Sequence, residues 1–133
     1  MIEMTYCAPM RIPGALRVAV RRVKQALRRD FPPGVVLAVR GLSGTTVGAV
    51  LAYHGYPVVY VRKPGTNPAS HGHVLAEGPR TALTARVRYV IVDDFSSTGA
   101  TMRAIEKAMP GRCLGAVLYA GDWSRHCLTL LYK

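Results

Sequence analysis

The chain has 133 residues, half of them hydrophobic, and a net charge of +11 from 18 Lys and Arg against 7 Asp and Glu. That length suits a single domain over 1–133 with a real core, and no uncharged apolar run reaches the roughly 18 residues that a membrane span requires. Glu3, Arg11 and Arg17 interrupt any apolar leader, and Cys7, Cys113 and Cys127 form no CxxC pair. Reduced thiols in a cytoplasmic protein are therefore expected, rather than a disulfide frame or a zinc site. The charge excess points to a polyanionic partner, either a phosphorylated small molecule or nucleic acid.

Residues 1–13 hold two prolines and little periodicity, and read as an irregular lead-in. Residues 14–30 read as a helix, because Leu16, Val20, Val23 and Leu27 recur at three- and four-residue steps. Its basic residues, Arg17, Arg21, Arg22, Lys24, Arg28 and Arg29, are expected on the outward face, and the stretch 17–29 is the candidate nucleic-acid contact. Pro32, Pro33 and Gly34 stop this helix. Residues 35–39 form a buried strand that runs into Arg40-Gly41-Leu42-Ser43-Gly44 and a helix over 44–54. The backbone N–H groups of 41–44 and the Arg40 guanidinium are anion donors.

Residues 57–61 form the next strand, ending in Arg62-Lys63, two cations at a strand end. Residues 64–84 show no period and carry several Gly and Pro, with Ser70-His71-Gly72-His73 inside them. A segment this long without periodicity is usually functional or disordered. A short strand is expected within 80–87. A helix over 98–109 and strands over 114–120 and 127–132 close the chain.

The central stretch is 89–101, YVIVDDFSSTGAT. Four apolar residues suit a parallel strand covered on both faces. They end in Asp93 and Asp94, costly to place there without a use. A small-residue loop, Phe95-Ser96-Ser97-Thr98-Gly99-Ala100-Thr101, then leads into a helix. Ligands of open α/β sheets bind beyond the carboxyl ends of the strands. Small residues and free N–H groups at a helix start favour a phosphate. The two acids suit sugar hydroxyls or a metal, so this geometry suggests a phosphorylated sugar.

The same thirteen residues resemble the phosphoribosyl-pyrophosphate (PRPP) motif of the type I phosphoribosyltransferases. Residues 40–44 are similar to that family's pyrophosphate-holding turn. Arg62-Lys63 followed by His71-Gly72 resembles the mobile loop of the orotate enzymes, with a longer spacing and with Ala69 where they carry a catalytic lysine. Ser97 stands where the 6-oxopurine enzymes place an Asp. The resemblance implies an α/β fold, a central parallel sheet of about five strands flanked by helices, and a small hood from the termini. In that hood Trp123 would be the candidate to stack on a base.

It further implies transfer of ribose 5-phosphate from PRPP to a nitrogenous base, orotate-like by preference, with magnesium and release of pyrophosphate. Asp93, Asp94, Lys63 and His71 would be catalytic. Arg40, Gly41, Leu42, Ser43, Arg62, Lys63 and residues 93–101 would bind PRPP, with no dedicated protein metal site. A homodimer with residues 44–54 and 57–63 near its interface is expected, as is a strained backbone over 40–43, including a non-proline cis peptide. A PRPP- or nucleotide-sensing regulatory protein that binds nucleic acid through 17–29 is the alternative.

Overall fold

The computed structural model describes residues 11–62, 76–94, 99–120 and 128–130. The strands β1 (Val36–Arg40), β2 (Val58–Val61), β3 (Ala76–Glu77), β4 (Arg88–Asp93), β5 (Arg112–Leu118) and β6 (Leu128–Leu130) form one sheet in the spatial order β3-β2-β1-β4-β5-β6. β2, β1, β4 and β5 are parallel neighbours, and β3 and β6 close the two edges antiparallel. The central strands are apolar without alternation because helices cover both faces. α1 (Ala15–Asp30) and α2 (Gly41–Tyr53) pack with Leu37, Val39, Val90 and Val92, while α3 (Ala100–Ala108) packs with Val36, Ala38, Tyr89 and Ile91. Successive side chains thus serve opposite faces, as a strand dictates.

The sheet agrees with the expected parallel architecture, holds β6 within the expected last strand over 127–132, and adds one short edge strand, β3. β3 lies inside the stretch that reads as structureless, and residues 80–87 form no strand. Arg80–Ala82 is a 3-10 turn instead, and Ala82 is buried against the α3 face of the sheet. Pro79 precedes this turn, and it cannot donate to a sheet ladder.

α1 buries Val20, Val23 and Leu27, as its periodicity requires. Arg22, expected to face outward with Arg21, is turned inward and is only 3% exposed. Its neighbours along that side of the helix, Ala15, Ala19 and Ala26, are all buried. Three small side chains leave room for one long one to run beneath the helix. The Arg22 guanidinium ends there on the carbonyl of Tyr119, donating through Nη1 at 2.7 Å.

Two helices begin at places other than those expected. α2 starts directly after β1, at Gly41, and α3 starts at Ala100, behind Gly99. No cis peptide occurs among the described residues, so residues 40–43 are trans. The corner is made by Gly41, whose φ of 77° places it in the left-handed region that glycine enters without a Cβ penalty.

α2 lies close on the sheet because of Gly48. A Cβ there would sit 2.8 Å from Val39 Cγ2 and 3.3 Å from Val58 Cγ1. Gly48→Val therefore overpacks the α2–β1 contact and is expected to lower the unfolding free energy by roughly 1–3 kcal/mol. A urea midpoint equal to that of the wild type would refute this packing argument.

Candidate functional site

From β1 the chain crosses through α2 to β2 on one side, then returns to β4 on the other side of β1. The strand order therefore reverses between β1 and β4, which opens a crevice beyond their carboxyl ends. β1 and β4 pair Val36 with Tyr89, Leu37 with Val90 and Ala38 with Ile91. The same offset carried to the strand ends sets Arg40 level with Asp93. The switch point of the sheet thus has a guanidinium-bearing residue on one side and the acid pair on the other.

Among the described residues, the buried polar and charged side chains are Arg22, Ser43, Asp93 and Asp94. All four gather at this end of the sheet. The Asp94 N–H donates to Asp93 Oδ1 at 2.9 Å. Beyond β5, the N–H groups of Tyr119 and Ala120 donate to the carbonyls of Asp93 and Asp94, at 3.0 and 2.8 Å. Both acids therefore sit on a backbone fixed from the neighbouring strand. Burial, and then the charge of Asp94, push the Asp93 carboxyl up from 3.8 to about 7, with Arg40 pulling the other way.

The first turn of α2 abuts the acids. A Cβ on Gly44 would lie 3.5 Å from the Val92 carbonyl and 3.8 Å from Asp93 Oδ1. No side chain caps this helix start, so its N–H groups are those a helix leaves for a ligand. Ser43 is 2% exposed, and its Oγ lies 2.6 Å from the Tyr119 hydroxyl. The Ser43 hydroxyl is thus engaged inside the fold. Arg40 Nε is buried without a hydrogen-bond partner among the described residues. The Leu42 side chain is exposed, and its carbonyl accepts from Thr46 Oγ1.

The site residues expected from sequence fall into three groups. Arg40, Gly41, Leu42, Ser43, Asp93 and Asp94 meet at the switch point, and Gly99, Ala100 and Thr101 form the start of α3 that follows β4. Arg62 lies one strand further out, after β2, where Glu77 of β3 holds it in an ion pair. Lys63, His71, Phe95, Ser96, Ser97 and Thr98 lie outside the described residues, as do Trp123 and residues 64–75 of the aperiodic stretch. Three residues that sequence reasoning did not place at the site belong to it: Arg22, Tyr119 and Arg103. The Arg103 guanidinium comes so close to Gly99 that a Cβ there would be 3.0 Å from its Nη1, which sets a cation beside the start of α3. Its spacing of four residues from Gly99 was the available signal.

Among the described residues no group of three or more His, Cys, Asp or Glu side chains converges to hold a metal ion. The acid pair fits a magnesium ion bound by one or two carboxylates and otherwise by ligand oxygens and water.

No protein-family model matches the chain, and no curated protein matches it by sequence. Solved structures do match. Adenine phosphoribosyltransferase from Saccharomyces cerevisiae superposes with a TM-score of 0.60 and 23% identity, over 87% of this chain and 73% of that one. UMP synthase from Leishmania donovani gives 0.58 and 22%, over 80% of this chain and 22% of that one. Orotate phosphoribosyltransferase from Francisella tularensis gives 0.53 and 17%, over 77% and 50%. The chain thus spans about a fifth of the synthase and half of the orotate enzyme.

The elevated Asp93 carboxyl has a consequence for stability. A folded-state value above the ordinary 3.8 favours the fold below that value, and the advantage is lost as pH rises through about 7. Asp93→Asn removes this titration. Between roughly pH 5 and pH 8 the wild type should lose more stability than the variant, measured by urea midpoints. An equal loss in both proteins would contradict the burial of an ionisable Asp93.

Proposed function

We propose, from the premise that the chain has the fold of the type I phosphoribosyltransferases, that it transfers ribose 5-phosphate from PRPP to a nitrogenous base. The observation that carries this is the gathering of Arg22, Ser43, Asp93 and Asp94, the buried polar and charged residues among those described, at the switch point of the sheet. Asp93 and Asp94 would accept hydrogen bonds from the ribose hydroxyls. Residues 95–101, leading into α3, would cradle the 5-phosphate. Arg40 and the N–H groups of the first turn of α2 would bind the pyrophosphate.

In the reaction a ring nitrogen of the base forms the bond to the sugar C1 as the C1–O bond to pyrophosphate breaks, and the proton that nitrogen carried passes to the departing pyrophosphate or to water. The electron pair leaves with pyrophosphate, and the sugar passes through a cationic, oxocarbenium-like state. Carboxylates beneath the ring would stabilise that cation, while the cations around the crevice would stabilise the leaving group. Lys63 and His71, outside the described residues, are the proposed loop groups on the leaving group. Magnesium, ligated by substrate oxygens with Asp93 and Asp94 as the protein carboxylates in reach, would neutralise phosphate charge. An orotate-like acceptor is favoured by Arg62-Lys63 and His71-Gly72. The reading includes a cytoplasmic homodimer in which α2, with its exposed Tyr53, and β2 lie near the contact.

A second reading has its own support. Arg17, Arg21, Lys24 and Arg28 follow each other at three- and four-residue steps along α1. Lys24 and Arg28 also line a cleft of about 580 Å³ with Phe31, His54 and Tyr56. A row of cations beside aromatic rings suits nucleic acid. Salt-dependent RNA or DNA binding without pyrophosphate release from any base would favour it.

The test is a panel of orotate, adenine and other bases with PRPP and magnesium, read out by pyrophosphate release. Release with one base is expected, and silence across the panel would overturn the enzyme reading. Asp94→Asn keeps the shape and removes the charge. It should lower turnover at least about tenfold, a barrier change of about 1.4 kcal/mol, with a smaller loss in PRPP binding. Unchanged turnover would remove the sugar-binding assignment.

A further inference from the structure

Tyr119 is fully buried, and it uses each of its three polar groups to join a different part of the site. Its N–H donates to the Asp93 carbonyl at 3.0 Å, at the end of β4. Its carbonyl accepts from Arg22 Nη1 at 2.7 Å, from α1. Its hydroxyl lies 2.6 Å from Ser43 Oγ, in the first turn of α2. A buried tyrosine hydroxyl ordinarily finds a partner, but this partner stands on the turn that faces the acid pair. That turn has no side-chain cap, and the chain enters it through Gly41, which has no side chain to pack. Beside the turn's connection to β1 at Arg40, the Ser43–Tyr119 bond is a directional contact that ties it to the residue bonded to Asp93.

We propose that Tyr119 is a positioning residue: through Ser43 on one side and the Asp93 backbone on the other, it fixes the spacing between the N–H groups of α2 and the Asp93–Asp94 carboxylates, so that one ligand bridges both. The proposal rests on the phosphoribosyl reading, in which that ligand is PRPP. Tyr119 touches no reacting atom. It acts where two arms must be occupied at once, and it matters little to a ligand that occupies one arm.

The test is titration calorimetry of the full chain with magnesium and PRPP, pyrophosphate or ribose 5-phosphate. Wild type is compared with Tyr119→Phe, which deletes only the hydroxyl, and with Ser43→Ala, which deletes its partner. Each variant should bind PRPP about tenfold more weakly, with pyrophosphate and ribose 5-phosphate each changed less than about threefold. The double variant should be no weaker than either single one, because one bond is lost in all three. A general loss of structure would weaken all ligands together and would overturn the positioning role, as would PRPP affinity that stays at the wild-type value. Should Tyr119→Phe fail to fold, the same split in Ser43→Ala decides the matter. A wild type that binds no PRPP overturns both this proposal and the function on which it rests. A wild type that binds PRPP, with variants that bind it equally well, overturns the proposal alone.

Discussion

Two adjacent carboxylates, each less than a tenth exposed at the end of a central strand, are the constraint to which the rest of the site answers. Ionised carboxylates away from water are strongly unfavourable unless something compensates them. The structure meets that cost partly by protonation, since burial and mutual repulsion raise Asp93 to about 7, and partly by the Asp94 N–H and the Arg40 charge. It also ties the backbone that carries both acids to the segment after β5, through bonds from Tyr119 and Ala120. A pair kept buried in this way is poised to change its charge state when a ligand supplies hydroxyl donors or positive charge.

The sheet makes that burial available. With the order β3-β2-β1-β4-β5-β6, β4 has parallel neighbours on both sides, and the first turn of α2 lies against its end. An acid pair at the end of an edge strand would stay hydrated. The surrounding charge acts at longer range. Of 7 acidic residues in the chain, Asp93 and Asp94 are the buried pair, Asp30 pairs with Arg29, and Glu77 pairs with Arg62. Few carboxylates are left to offset 18 cations, so the protein's field draws polyanions toward it whichever surface receives them.

The parallel core and the acid motif were legible in sequence because each is a local pattern. An apolar run closed by charge marks β4, and a run closed by Arg-Gly marks β1. What was not legible arises from contacts between distant segments. β3 is 2 residues long, too short for any period to register. Arg22 reads as outward by its charge. It turns inward because Ala15, Ala19 and Ala26 leave a channel and because a carbonyl 97 residues away in the chain accepts a hydrogen bond from it. Tyr119 reads as core by its ring, and the ring is core; its hydroxyl is what belongs to the site. A backbone strained by a cis peptide at 40–43 was the family's expectation, and a left-handed Gly41 achieves the turn here without one.

The position of α2 shows why both a glycine face and a hydrogen bond are needed. Gly44 and Gly48 bring the helix within a Cβ's width of Val39, Val58 and the Val92 carbonyl, and so set how deeply it lies on the sheet. Val47 and Leu51 add fully buried apolar contacts from the same helix. Such contacts fix the helix's depth more firmly than its orientation, since dispersion contacts are individually weak and non-directional. Hydrogen bonds depend steeply on distance and angle. The single bond from Ser43 to Tyr119 therefore supplies what the glycines cannot: a fixed position of the first turn along and around the helix axis. Tyr119 is itself bonded to Asp93, so that position is referred directly to the acids rather than through the intervening strands.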